Sequence, residues 1–281
     1  MTKKNPAYCI TGIEPSDQED LRRAFDYENS IVDEKLKNPE ALRMLKDHFK
    51  VSGDGVFYTI QGEGISMGKP CCFLRLHICN LKCSWCDASY TWNPNQKEFW
   101  IESQDWTIEE TKQKIEEAWE PKDSNIEKLL VITGGEPLLQ KDRIDQLMNI
   151  MSGWKFEIET NGTVMPTSKI LKNVQINCSP KLNNSAGKYE LRIKGNVLRA
   201  LNNVNTIFKF VAMTNEDIDE IENEFIKPFN IDKKKIVIMP QGVTVEEISK
   251  NSQRIIERVK KSGFRFLGRL HVDIWGAKRR V

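Results

Sequence analysis

Three thiols fall within eight consecutive residues: Cys79, Cys83 and Cys86, spaced C-x-x-x-C-x-x-C. A closed zinc site takes four ligands, commonly as two separated pairs, and no second pair follows here. Three thiolates instead suit an iron-sulfur cluster that leaves one iron open, so that a substrate or cofactor can bind the metal directly. The plain alternative is three small buried hydrophobes, since free cysteine is among the most buried residue types. The tight clustering speaks against it.

Further chemistry-bearing residues lie on both sides of this loop. Thr133-Gly134-Gly135-Glu136-Pro137 sits between a β-rich run and an amphipathic stretch. A Gly-Gly pair there lets backbone approach a ligand closely, although alone it would read as an ordinary strand-to-helix turn. Upstream, Gln61 and Glu63 occupy a glycine-flanked QGEG turn, and Arg75 lies in the apolar run that feeds the cysteines. A planar guanidinium can grip a carboxylate with two parallel N–H donors; the alternative is a structural ion pair. Asp87 directly follows the third cysteine. Ser179, Lys181 and Gln241 stand at the ends of β-rich runs, where βα loops converge in barrel folds but where a polar residue can equally be solvated rim. Asn161, before Gly162, can shape a turn as readily as touch a ligand.

The elements that must position these residues alternate short β-branched runs with longer amphipathic stretches, the pattern of βα units and a mainly parallel sheet. Strands are expected at 71–78, 128–133, 155–160, 174–179, 206–211, 235–240 and 270–275. Helices are expected at 107–119, 141–151, around 190–201, 216–227 and 245–261. Such a series fits either a doubly wound sheet or an incomplete barrel, and period alone does not choose. Residues 1–50 are polar and charge-rich and read as an extension, with Leu36, Leu42, Leu45 and Phe49 compatible with a helix after Pro39 and His48 as an exposed helix residue. Residues 51–281 form the main domain.

With 281 residues the chain can bury a substantial core. Its 42 basic side chains nearly balance 40 acidic ones, which leaves no electrostatic footprint for nucleic acid and favours a small-molecule substrate. No apolar run is long enough to span a membrane and no leader pattern is evident, so a cytoplasmic protein is expected. Seven cysteines are an odd number; in a reducing compartment Cys9, Cys71, Cys72 and Cys178 need not pair, and the last three read as core.

The loop CSWCDASYTW, the tetrapeptide GGEP, the segment FYTIQGEG and the strand FLRL together resemble the 7-carboxy-7-deazaguanine synthase family of the radical S-adenosylmethionine (SAM) superfamily. The resemblance runs from Val56 to the C-terminus. It implies an α/β fold, a partial TIM-like barrel with the site at the C-terminal ends of the strands, preceded by the N-terminal extension. It implies a 4Fe-4S cluster on Cys79, Cys83 and Cys86, with SAM held by Gly134, Gly135 and Glu136, the latter at the methionyl amino group, and by Ser179, Lys181 and Gln241. Gln61 and Glu63 would read a pterin ring, Arg75 its carboxylate, and His271 would contribute from the last strand. The implied reaction is radical ring contraction of 6-carboxy-5,6,7,8-tetrahydropterin to 7-carboxy-7-deazaguanine with loss of ammonia, in queuosine-type 7-deazapurine biosynthesis. An electron donor such as flavodoxin or ferredoxin and a homodimer are implied as well. The family commonly places a hydroxyl residue after the Asp to contact Mg2+, whereas this chain has Ala88; Ser89 is the expected substitute, with Thr91 or water as alternatives. Two rival readings are an activating enzyme for glycyl-radical enzymes, which shares the cysteine spacing, and a non-catalytic iron-sulfur or metal-binding module. The QGEG turn and Arg75 favour the synthase over the first, and GGEP has no role in the second.

Overall fold

The computed structural model describes residues 47–123 and 125–279. The helix expected after Pro39 therefore lies outside the described residues. Nine strands form one sheet in the order β3-β1-β2-β4-β5-β6-β7-β8-β9. They are β1 (His48–Ile60), β2 (Pro70–Leu76), β3 (Ser103–Thr107), β4 (Lys128–Gly134), β5 (Trp154–Thr160), β6 (Gln175–Cys178), β7 (Thr206–Ala212), β8 (Ile236–Pro240) and β9 (Arg265–Phe266). From β2 through β4 to β9 every neighbour is parallel, while β1 pairs antiparallel with both β2 and β3. The sheet ends on two different edge strands, so it is an open, partial (β/α) barrel rather than a closed one.

Strand parity separates core from site. In β2 and β4 to β8, even-numbered side chains such as Leu74, Leu130, Ile132, Phe156, Ile158, Phe208, Phe210 and Ile238 join the main apolar core. The helical layer packs on them: Ile115 of α1 (Ile108–Ala118), Ile144 and Leu147 of α2 (Lys141–Ile150), Ile170 of α3 (Ser168–Asn173), Leu198 and Leu201 of α4 (Gly195–Asn202), Ile218 of α5 (Asn215–Glu220), and Ile255 and Val259 of α6 (Val245–Ser262). Odd-numbered side chains point to the opposite face, because successive strand residues alternate. Phe73, Arg75, Thr133, Glu159, Lys209, Val211 and Met239 all line one cavity there.

Helix starts follow local chemistry. The Thr107 hydroxyl accepts from Glu110 N at 3.0 Å, and Thr244 with Glu247 forms a reciprocal capping box at α6. Gly263, at φ +71°, ends α6 in the left-handed conformation that glycine tolerates best.

Three expectations change. Residues 270–275 form a helix, α7 (Leu270–Trp275), and the two-residue β9 takes the sheet edge instead. Leu270, Val272 and Ile274 alternate as in a strand, but only Val272 is buried while Ile274 is half-exposed. β1 and β3 precede the first expected helix as an unforeseen antiparallel pair, and Phe49 lies in β1, fully buried, with His48 also in that strand. The stretch around 190–201 splits into a short turn of helix, Tyr189–Arg192, and α4.

Candidate active site

The cysteine loop leaves β2 and is pinned by the glycine pair. Gly135 N donates to Leu76 O at 3.0 Å and Glu136 N to Ile78 O at 2.9 Å. A Cβ on Gly134 would lie 2.0 Å from Leu76 O, and one on Gly135 2.1 Å from Ile78 O. The glycines are thus required because two backbones meet, and the same segment lines the cavity. Ile78 is held at φ +76°, a conformation rare for a β-branched residue, immediately before Cys79. On its far side the loop is latched by Ser84 N to Ser185 O (3.0 Å) and by Trp85 Nε1 to Asn184 O (3.0 Å). Cys79, Cys83 and Cys86 all line the cavity. Burial pushes the Cys79 thiol up to about 12 and raises Cys83 as well, with Lys181 acting against it in both cases.

Glu136, expected at a ligand, is turned away from the cavity. It is fully buried; Oε1 accepts from Leu138 N (3.0 Å) and Thr160 Oγ1 (2.7 Å), and Oε2 from Asn161 N (2.7 Å). Burial pushes its carboxyl above the usual range despite these bonds. Its role here is to tie the end of β4 to the end of β5. Asn161 carries the tie onward, its Nδ2 donating to Asn80 Oδ1 at 3.0 Å and lying 3.9 Å from Cys79 Sγ.

The QGEG turn folds onto the cavity face of the barrel. Gln61 Nε2 donates to Glu159 Oε1 at 3.4 Å, and Glu159 Oε2 accepts from Thr133 Oγ1 at 2.7 Å. Glu63 is held by two cations: Lys209 on one oxygen and Arg269 Nε on the other at 2.9 Å. Burial alone would raise the Glu63 carboxyl, but Lys209, then Arg269 and His271, hold it well below the usual carboxylate range. His271 of α7 packs so closely on the turn that a Cβ on Gly62 would lie 2.1 Å from its Nδ1. Burial lowers its pKa, with the Glu63 carboxylate pulling the other way.

Gln61, Glu63, Arg75, His271, Gly134, Gly135, Ser179, Lys181, Gln241 and the three cysteines line a single cavity of about 500 Å³. Glu136 and Ser89 do not. The Ser89 hydroxyl exchanges hydrogen bonds with the Gln96 amide, so it is spent away from the site; Asp87 and Thr91 line the cavity instead. No carboxylate among the described residues pairs with Arg75, whose guanidinium lies 5.7 Å from the Phe57 ring centroid. The structural ion pair is therefore not its role among these residues. Lys209 and Arg269 escaped sequence reasoning. Lys209 did carry a signal, a single cation in a strand whose seven positions are all buried. Arg269 carried none. Among the described residues no three His, Cys, Asp or Glu side chains could share one metal ion. A four-iron cluster makes no such demand, since each thiolate binds its own iron.

A sequence model described as the Radical SAM superfamily matches residues 74–181, a span that contains the cysteine loop, the glycine pair and Lys181. The site and the partial barrel thus define a radical SAM enzyme, a class that works with a 4Fe-4S cluster, SAM and a source of electrons. A 7-carboxy-7-deazaguanine synthase of Pyrobaculum aerophilum is 30% identical over 227 residues, covering 80% of this chain and 94% of that protein. One from Halobacterium salinarum is 32% identical over 244 residues, covering 78% and 88%. The crystal structure of QueE from Escherichia coli superimposes with a TM-score of 0.60 at 26% identity, covering 80% of this chain and 95% of that one. The chain belongs to the 7-carboxy-7-deazaguanine synthase family.

Proposed function

We propose that this enzyme converts 6-carboxy-5,6,7,8-tetrahydropterin to 7-carboxy-7-deazaguanine with loss of ammonia, in the cytoplasm, as a homodimer supplied with electrons by a flavodoxin or ferredoxin. The observation that carries the reading is one cavity onto which the cysteine loop and the QGEG turn both open. Cys79, Cys83 and Cys86 would hold the cluster, and the backbone of Gly134 and Gly135 with Ser179, Lys181 and Gln241 would hold SAM. When bound, the two supply a carbon radical that removes a hydrogen atom from the substrate.

The protein's own residues bind and orient. Glu63, kept ionised by Lys209 and Arg269, can only accept hydrogen bonds, so it selects a substrate edge that presents N–H donors. Gln61, braced by Glu159, adds a polar contact beside it. Arg75 is left with a free fork for the substrate carboxylate. Asp87 would hold magnesium, a hard cation that keeps several of its waters and needs only one or two carboxylates from the protein; there it would neutralise that same carboxylate. In this reading the catalytic domain takes in the whole of β1, from His48 rather than from residue 51, and the residues before it are an extension.

The test is anaerobic reconstitution with iron and sulfide, followed by SAM cleavage with and without the pterin. Cleavage that yields the deazapurine only when pterin is present is expected; cleavage indifferent to it removes the synthase assignment. Serine at Cys79, Cys83 or Cys86 should bleach the cluster absorbance, and a full cluster in any one variant would overturn the ligand set.

A further inference from the structure

Arg269 stands directly before α7, and its guanidinium reaches three separate loops at once. Nε donates to Glu63 Oε1 (2.9 Å), Nη2 to Asp87 Oδ2 (2.7 Å) and Nη1 to the Gly242 carbonyl (2.7 Å). Glu63 belongs to the QGEG turn, Asp87 follows the last cysteine, and Gly242 follows Gln241 at the end of β8. The side chain is only 14% exposed. Its main chain is anchored as well, since the next residue, Leu270, donates its N–H to Gly62 O at 3.0 Å, and His271 then fills the space above that glycine. The fork has no freedom to swing without moving the turn.

We propose that Arg269 is a positioning residue: by bridging Glu63 to Asp87 it fixes the spacing between the substrate-reading turn and the cluster loop. This inference rests on the reading of a pterin bound beside Glu63. Atom transfer between two bound partners demands a short, fixed approach, and a misplacement of about 1 Å can cost on the order of a hundredfold in rate. Both loops line the one cavity. A rigid planar fork holds both carboxylates in one geometry, which a lysine ammonium, with its single nitrogen, cannot reproduce.

The experiment compares wild type, Arg269→Lys, Arg269→Gln, Asp87→Asn and the Arg269→Gln/Asp87→Asn double variant as reconstituted holoenzymes. KM and kcat for the pterin are measured, with the ratio of 5'-deoxyadenosine released to deazapurine formed. Arg269→Lys and Arg269→Gln should keep the cluster, raise KM about tenfold and raise that ratio severalfold, as SAM is cleaved against a poorly placed substrate. Because the Arg269–Asp87 contact is shared by the two single variants, the double variant should lose less than the product of their separate losses. Losses that multiply in the double variant, or a lowered melting temperature with KM and the product ratio unchanged, would overturn the inference. A wild-type enzyme that ignores the pterin overturns the functional reading and this inference with it; wild-type turnover with multiplying losses overturns this inference alone.

Discussion

Gly135→Ala puts a methyl group where two backbones already touch. The added Cβ would lie 2.1 Å from Ile78 O and 2.4 Å from Ile78 C, against ordinary contact at 3.4 Å or more, so the segments must part by about 1.3 Å. That separation breaks the bonds from Gly135 N to Leu76 O and from Glu136 N to Ile78 O, each contributing about 1 kcal/mol. Overpacking adds about 1–3 kcal/mol, because backbone on both sides cannot rotate away as a flexible side chain would. The total is about 3–5 kcal/mol, or roughly 10 °C of melting temperature for a domain of this size. The damage is also directional. The bond to Ile78 O is one of the contacts that hold this residue at positive φ, so releasing it lets Ile78 relax and swings Cys79 from its place. Thermal unfolding of the apoprotein, with iron content after reconstitution, measures both effects. An alanine variant that melts within about 2 °C of wild type and loads a full cluster would refute the reasoning.

Glu136→Gln replaces one accepting oxygen with an NH2 donor that faces backbone or hydroxyl donors already pointing at it, and should cost about 1–3 kcal/mol in a urea titration; an unchanged midpoint would show that the carboxylate ties nothing together. Arg75→Lys keeps the charge and loses the fork, so KM for the pterin should rise about tenfold with the melting temperature unchanged; equal kinetics with an intact cluster would remove Arg75 from the substrate site. Deleting residues 276–281 takes Arg279 from the Tyr90 ring, 4.0 Å away, and from Glu102 at 2.8 Å, and strips one wall of the cavity. Pterin binding should weaken by about tenfold or more, roughly 1.4 kcal/mol, with the cluster retained, and an unaltered affinity by titration would show the tail to be a bystander. Cys178, fully buried against Gly162, should as alanine cost roughly 1–2 kcal/mol and leave the cluster intact; bleaching of the cluster would make it a ligand after all.

What the sequence made legible was local. Cys79, Cys83 and Cys86 were readable as a group because they stand on one loop, and spacing within a loop is written directly in the chain. Gly134 and Gly135 were readable as a close approach, but the partner is the Leu76–Ile78 backbone, which no linear pattern names. Lys209 sits alone among apolar neighbours, a visible signal for a buried partner whose identity was not visible. Arg269 could not be found, since its three acceptors lie 206, 182 and 27 positions away. Glu136 and Ser89 share a feature that no linear pattern shows: a side chain next to the site in sequence can be bonded to a neighbour, here Thr160 and Gln96. Residues 270–275 show the limit of a six-residue window, too short to separate a period of two from one of 3.6.

The reach of Arg269 also bears on how the enzyme is made. During synthesis the cysteine loop, the glycine pair and the latch at Ser185 are all made before Arg269, in a sheet that can grow strand by strand. The clamp on Glu63 and Asp87 comes from a residue 206 and 182 positions later in the chain. The cysteine loop and the clamped QGEG turn therefore mature on separate schedules, the second waiting on loop closures over some two hundred residues that are entropically late. A nascent chain can present its three clustered thiols while the QGEG turn is still unclamped.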